Sequence, residues 1–354
     1  MIDYGAAPAP DEVEVSVFGP GFGESIAVHM GEGAWLLVDS CLEAGTGKPA
    51  TQNYLHAINV PQSGVKAILA SHWHDDHVRG ISGLARAYPE AEFHLSDTFN
   101  REEALALLAA HSGRVVNSSR GTRELYTVIQ ERSNVFYVKK RSIIFESALG
   151  QPFARVTALS PVPLAFQQFV SDLAQFLPAA GGGNPINNVV PLKPNLEAVA
   201  VHIDLGHDAI LLGSDLENHS RFGWQAVVAD SWVAGRKKAS ALKVAHHGSA
   251  TGDHPGVWAT LLDEGPIAAL TPYNRGSKLP TSQDVLRLKT QAAKAFISSD
   301  ASRKPQLPAG QLKRLQDMAK NILPVNNGFG CVRMRRRTGE FAWRIECLGN
   351  AKQL

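Results

Sequence analysis

Apolar residues recur along this chain with two different periods. Val13, Val15 and Val17 alternate with polar neighbours, and Ile26, Val28 and Met30 do the same beyond Gly19-Pro20-Gly21-Phe22-Gly23-Glu24. A period of two sends alternate side chains to opposite faces, so the pattern predicts a hairpin with one buried face. The glycine-rich stretch lies between two strands and not ahead of a helix, which favours a turn over a phosphate cradle. Trp35–Val38 and Ala209–Leu212 are apolar throughout, Val65–Ala70 and residues 242–245 are apolar but for one lysine each, and all four predict buried strands. Shorter strands are expected over 92–95, 135–138, 143–145, 198–201, 268–272 and 295–297, with a terminal hairpin from 331–335 to 341–346. Ile81, Leu84, Ala85 and Tyr88 fall at helical spacing, and further helices are predicted over 101–110, 120–131, 165–177, 257–262, 283–292 and 311–319.

The buried strands share one property: each runs straight into reactive side chains. Asp39 follows the first, and Ala70-Ser71-His72-Trp73-His74-Asp75-Asp76-His77 follows the second. Gly213-Ser214-Asp215 and His246-His247-Gly248-Ser249 close the other two. In layered α/β proteins such strand ends meet on one rim, where the loops carry the chemistry. Residues two apart at the mouth of a strand point the same way, so His72 and His74 can grip one cation while Asp76 and His77 face a second. No serine or cysteine is presented with a matching base, and His94 reads as a strand residue. Residues 97–188 contain no such cluster and read as a mostly helical insertion covering one end of the site, with His111 at a helix C-terminus.

Composition narrows the options further. With 44% hydrophobic and 19% charged residues over 354 positions, the chain is an ordinary globular protein. A net charge of +2 announces no polyanionic partner. Basic groups at Lys139-Lys140-Arg141 and at Arg333, Arg335, Arg336 and Arg337 are the local exceptions, as phosphate contacts or, for the arginines, as a charged guard on a sheet edge. Cys41, Cys331 and Cys347 are too few and too scattered for a disulfide framework or a thiolate zinc cage, and each is expected to be a small buried residue. An acidic N-terminus and the lack of any apolar run near the length of a membrane span predict a cytoplasmic protein without a membrane segment.

With these residues in place, the chain resembles the metallo-β-lactamase superfamily, and within it the hydrolase domain of ComEC-type DNA-uptake proteins. The motifs that carry the resemblance are His72-Trp73-His74-Asp75-Asp76-His77 with Gly80, Leu211-Leu212-Gly213-Ser214-Asp215-Leu216-Glu217, and Leu242-Lys243-Val244-Ala245-His246-His247-Gly248-Ser249. The resemblance implies an αββα sandwich in a single domain over 1–354, with the inserted region at about 97–188. It further implies two divalent cations, zinc or manganese. His72 and His74 would hold one, Asp76 and His77 the other, with Asp215 bridging and His246 completing the second. Asp76 and His247 are the expected catalytic residues, the latter facing substrate, with an exchange of roles between His246 and His247 as the alternative, and Asp39 and Asn195 would orient the ligands from outside. No histidine clearly completes the first cation's shell; Asn195, His202 and His207 are the candidates, and Leu279 stands where this branch often has histidine. Two cations lower the pKa of a shared water from about 15.7 towards 7, which supplies hydroxide at neutral pH. The expected activity is that of a phosphodiesterase or nuclease acting on DNA or nucleotides, with Lys243 or Arg79 as further oxyanion contacts. The alternatives are a small-molecule ester, lactone or thioester hydrolase, and a metal-binding scaffold without turnover.

Overall fold

The computed structural model describes residues 2–43, 45–99, 120–174, 194–276, 278–300 and 328–354. The first half supplies β1 (Glu12–Gly19), β2 (Ser25–His29), β3 (Trp35–Val38), β4 (Val65–Ala70), β5 (Glu92–Ser96) and β6 (Val135–Val138). The second supplies β7 (Ile143–Glu146), β8 (Arg155–Ala158), β9 (Val201–Asp204), β10 (Ala209–Leu212), β11 (Ala239–Lys243), β12 (Leu262–Leu270) and β13 (Lys294–Ile297). The C-terminus adds β14 (Gly330–Arg337), β15 (Arg344–Gly349) and β16 (Lys352–Gln353).

Among the described residues these strands form two sheets of eight, ordered β15-β14-β1-β2-β3-β4-β5-β6 and β16-β13-β12-β11-β10-β9-β8-β7. Each sheet passes from an antiparallel meander into four parallel strands, β3 to β6 in one and β10 to β13 in the other. Parallel strands start at one edge of a sheet and end at the other, so the ends of β3, β4, β10, β11 and β12 come to the same rim.

Three apolar layers hold the sheets. Val15, Val17, Leu36 and Leu69 meet Val156, Val201, Ile210 and Leu212 between the sheets. The outer face of the first sheet packs on helices Ala50–Ala57, Ile81–Ala87 and Arg120–Glu131. The outer face of the second packs on helices Gly223–Val228, Pro255–Leu261 and Ser282–Gln291. The result is a four-layer αββα sandwich, the predicted fold class.

Several expectations need correction. The β1–β2 hairpin is buried on both faces, because β1 has Tyr54 and Phe18 packing on its outer side as well as the inter-sheet core within. The described residues of the 97–188 stretch do not form a separate cap: β6 closes the first sheet, β7 and β8 open the second, and Leu125 and Val128 pack in the outer core of the first. The chain crosses between sheets here, which the lack of a ligand motif disguised. The strand expected over 198–201 runs instead from Val201 to Asp204.

Of the four arginines on β14 only Arg337 is exposed as a charged guard would be; the other three are drawn into ion pairs. Arg333 pairs with Glu346, Arg335 with Glu14 (2.6 Å) and Arg336 with Asp208, and Arg333 and Arg336 are themselves buried. Lys140 and Arg141 both hold Asp230, at 2.8 and 3.0 Å. Cys41 and Cys331 are buried as expected, but Cys347 is exposed. The helices expected over 101–110 and 311–319, and His111, lie outside the described residues. No helix among the described residues is long and apolar enough to cross a membrane.

Candidate metal centre

After β4 the backbone stays extended through His74 (φ −69°, ψ 144°), then turns into the short helix Asp75–Val78. The extended step sends His72 and His74 to one side, with His72 Nε2 3.0 Å from His74 Nδ1. The helical turn then carries Asp76 and His77 round to a second position. Asp75 does not join them; its Oδ1 accepts from the Gly121 N–H at 2.6 Å and so anchors the helix that starts there. Gly80 ends the motif in the left-handed region (φ +84°), where a side chain would strain the turn.

Two further strand ends complete the cluster. Asp215 follows β10, and its Oδ2 lies 3.4 Å from His77 Nε2 and 3.4 Å from His247 Nε2. His247 Nε2 also lies 3.3 Å from Asp76 Oδ2. Two groups of donor atoms result, His72–His74–Asp215 and Asp76–His77–Asp215–His247, each within 4.8 Å. Asp215 belongs to both. Oxygen and imidazole donors at this spacing suit a divalent cation. His77 Nε2, His247 Nε2 and Asp215 Oδ1 are buried without a hydrogen-bond partner, and buried polar atoms left that way are costly unless something charged meets them. The residues therefore fit a pair of cations.

One expected ligand changes places. His246 was expected in the second group, but His247 stands there. Both residues have left-handed backbone (φ 46° and 52°), so the chain reverses between β11 and Gly248. The reversal turns the second imidazole inward and the first onto the pocket wall. His246 Nδ1 meets Thr251 Oγ1 at 2.9 Å and Glu217 Oε1 at 3.1 Å, and its Nε2 lies 3.3 Å from Asn195 Nδ2. Asn195 thus supports His246 and touches none of the clustered donors. His202 is bonded to the Lys237 carbonyl (2.7 Å) on β9, and His207 is exposed in the β9–β10 turn, so neither completes the first group. His94 is a strand residue on β5. Lys243 and Arg79 do not line the pocket.

Each inward histidine is gripped from behind. His77 Nδ1 donates to Asp39 Oδ2 at 2.7 Å, and Asp39 also accepts from the Ser71 N–H and hydroxyl, both at 2.7 Å. Ser71 Oγ lies 3.0 Å from His72 Nδ1. His247 Nδ1 donates to the Thr271 carbonyl at 3.1 Å. Such contacts fix the ring and leave the other nitrogen free to ligate. The sequence pointed to Asp39 for this role but not to Ser71 or Thr271, whose side chains and carbonyls carry no donor signature of their own.

The electrostatics separate the two groups. Burial holds His72 well below its usual pKa, with His77 and His74 adding to the effect, and burial likewise lowers His74. Burial works against protonating His77 and His247 too, but Asp215, Asp39 and Asp76 outweigh it for His77, which is raised well above its usual range. Asp215 and Asp76 raise His247 to about 9. Burial would raise Asp215, yet His247 and His77 hold it well below the carboxylate range. Without cations, the first group is neutral imidazole and the second is an imidazolium–carboxylate knot.

The cluster forms the floor of a pocket of about 670 Å³. Its walls include Phe22, Asn195, Glu217, His246, Tyr273, Arg275 and Leu279. The Arg275 guanidinium stacks 3.7 Å over the Phe22 ring, and Phe22 lies 5.5 Å from Tyr273.

No curated protein matches the sequence. Among solved structures, the chain is similar to a subclass B3 metallo-beta-lactamase, MEM-A1, from a soil metagenome (16% identity, 69% of this chain and 80% of that one, TM-score 0.38). It is also similar to the metallo-beta-lactamase fold protein YhfI from Bacillus subtilis (14%, 81% and 96%, TM-score 0.41). Zn²⁺-bound PqqB from Methylobacterium extorquens is a third (17%, 62% and 58%, TM-score 0.32). Residues 18–106, which hold β2 to β5 and the whole histidine motif, match the model of the metallo-beta-lactamase superfamily. With that match, the αββα layers and the donor cluster on their shared rim, the fold of this chain is the metallo-β-lactamase fold.

Proposed function

We propose that this chain is a metal-dependent hydrolase whose substrate is a phosphodiester of nucleotide size. The observation that carries the proposal is the pair of donor groups sharing Asp215, three donors in one and four in the other. When bound, two cations there would activate a water and polarise the phosphoryl oxygen, which suits in-line displacement at phosphorus. His72 and His74 hold one cation, Asp76, His77 and His247 hold the other, and Asp215 serves both. Asp39, Ser71 and Thr271 fix the ring orientations. Arg275 has no carboxylate partner among the described residues and stands at the pocket mouth, where it meets an anionic group, with Phe22 and Tyr273 as faces for a base.

The His246-His247-Gly248-Ser249 motif supports the ComEC-like branch, and hence phosphorus over carbon. Size argues for nucleotides over long DNA: the pocket has a small ligand's volume, and the arginine strand is engaged in internal ion pairs. A second reading, hydrolysis of a carboxylic ester, lactone or thioester, draws support from the apolar Phe22, Tyr273 and Leu279 in the walls.

Chelator-stripped protein, reloaded with Mn²⁺ or Zn²⁺, is assayed on bis-p-nitrophenyl phosphate, a dinucleotide, p-nitrophenyl acetate and long DNA. Turnover of the first two that stops with chelator is the expected result. Arg275→Ala is expected to raise KM for the dinucleotide about tenfold while sparing p-nitrophenyl acetate. Turnover of esters alone favours the second reading, and no turnover with partner binding retained in Asp76→Ala and Asp215→Ala would identify a scaffold.

A further inference from the structure

Beneath the donor cluster lies an ion pair that the proposed chemistry leaves unused. Lys243 Nζ and Glu24 Oε1 are 2.6 Å apart, and both side chains are 0% exposed. Lysine and glutamate are almost never fully buried. Replacing such a pair with apolar residues is often neutral or stabilising, so fold stability alone does not account for it.

Its contacts do. Lys243 Nζ donates to the Ser214 carbonyl at 3.0 Å and lies 3.8 Å from Asp215 Oδ1. Ser214 has left-handed backbone (φ +47°), a conformation that needs outside support in a residue with a side chain. Lys243 therefore pins the strained turn that aims Asp215 at His77 and His247. On the other side, Glu24 Oε2 accepts from Thr271 Oγ1 at 2.6 Å, and Thr271 is the residue that holds the His247 ring. Glu24 comes from the glycine-rich turn of the first sheet, while Lys243 and Thr271 end β11 and β12 of the second. Gly23, left-handed at φ +133° and with no room for a Cβ (2.7 Å from Cys41 Cβ), lets that turn come close enough.

We infer that Glu24 and Lys243 are positioning residues, a brace between the sheets that sets the Asp215 and His247 donors of the second group. The inference rests on the proposed cation centre. Its reach is uneven: Asp215 serves both groups, whereas His247 belongs to the second alone, so the second group depends on the brace through two donors and the first through one.

The test is calorimetric titration of chelator-stripped protein with Mn²⁺ and with Zn²⁺, together with melting of the metal-free forms. Measurements are made in the full chain and in a His74→Ala background, which weakens the first group and isolates the second. Glu24→Leu/Lys243→Met removes both charges at similar volume and is expected to melt close to the wild type. It should lose at least about tenfold in affinity at the second group, the range usual for residues that orient ligands, and a smaller amount at the first, which the brace reaches through Asp215 alone. Glu24→Gln, which keeps an acceptor for Thr271 but leaves Lys243 unpaired, is expected to show the same uneven loss if the double variant does not fold. A folded double variant, or Glu24→Gln, with wild-type affinity at both groups would overturn the brace while leaving the cation centre intact. Wild-type protein that takes up no cation would overturn both.

Discussion

The two rims of this sandwich build one site in different ways. The rim of the first sheet draws His72, His74, Asp76 and His77 from six consecutive residues, on an extended step followed by one helical turn. The rim of the second sheet contributes Asp215 and His247 from separate strand ends, each beside a residue in the left-handed region. The stretch from His72 to His77 holds no left-handed residue, although Asp39 behind it and Gly80 after it do; the second rim places its left-handed turns directly at the donors. The first donor group also has its lowered-pKa histidines ready to ligate, whereas the second, with His77 from one rim and His247 from the other, must release protons before a cation can enter.

The largest effect should come from the residue common to both donor groups. Asp215→Ala is expected to lower hydrolysis of bis-p-nitrophenyl phosphate by about 10³-fold or more and to reduce bound metal by at least one equivalent, measured by elemental analysis. A residue of the second rim that served only one cation would leave the other in place.

The neighbouring histidines offer the sharpest discrimination. His247→Ala should cost about 10²-fold or more in activity and remove the second cation, while His246→Ala should cost about tenfold and leave metal content unchanged. The reverse ranking would mean that the left-handed turn does not decide which ring faces inward.

Behind the first rim, Asp39→Asn should weaken metal binding about 10- to 100-fold by releasing His77 and Ser71 together. The comparison predicts a larger loss at the second group, which His77 joins, than at the first, which it touches only through Ser71.

The smallest effect is one of pH. His247 is raised from 6.5 to about 9 in the metal-free protein, so its charged form stabilises that state fully below pH 6.5 and the contribution fades as pH rises through 9. Metal-free protein should therefore be less stable at pH 9.5 than at pH 6.5, read as a lower melting temperature at the higher pH. Cation affinity at the second group should move the opposite way, falling as pH drops below 9, while the first group changes little. Titration in buffers of different ionisation enthalpy counts the protons released.

Much of this was legible before any coordinates. β4 and β10 occupy the very residues their apolar runs mark, and the helix Arg120–Glu131 follows its periodicity. Asp39, His72, His74, Asp76, His77 and Asp215 all stand at strand ends on one rim, because a buried strand must end where its loop reaches water. What was missed came from long-range packing. Residues 97–188 lack a motif, yet they supply strands to both sheets, since a strand's membership depends on its partners and not on its own composition.

The sequence by itself determined the two-layered strand pattern, the histidine motif and the chemistry those side chains can perform, since these follow from local spacing and residue type. Only the tertiary structure decided that His247 and not His246 faces the cluster, that the arginine strand pairs with internal carboxylates, and that Glu24 meets Lys243. Those outcomes depend on the sign of a backbone dihedral and on contacts between residues up to several hundred positions apart, neither of which a side-chain pattern encodes.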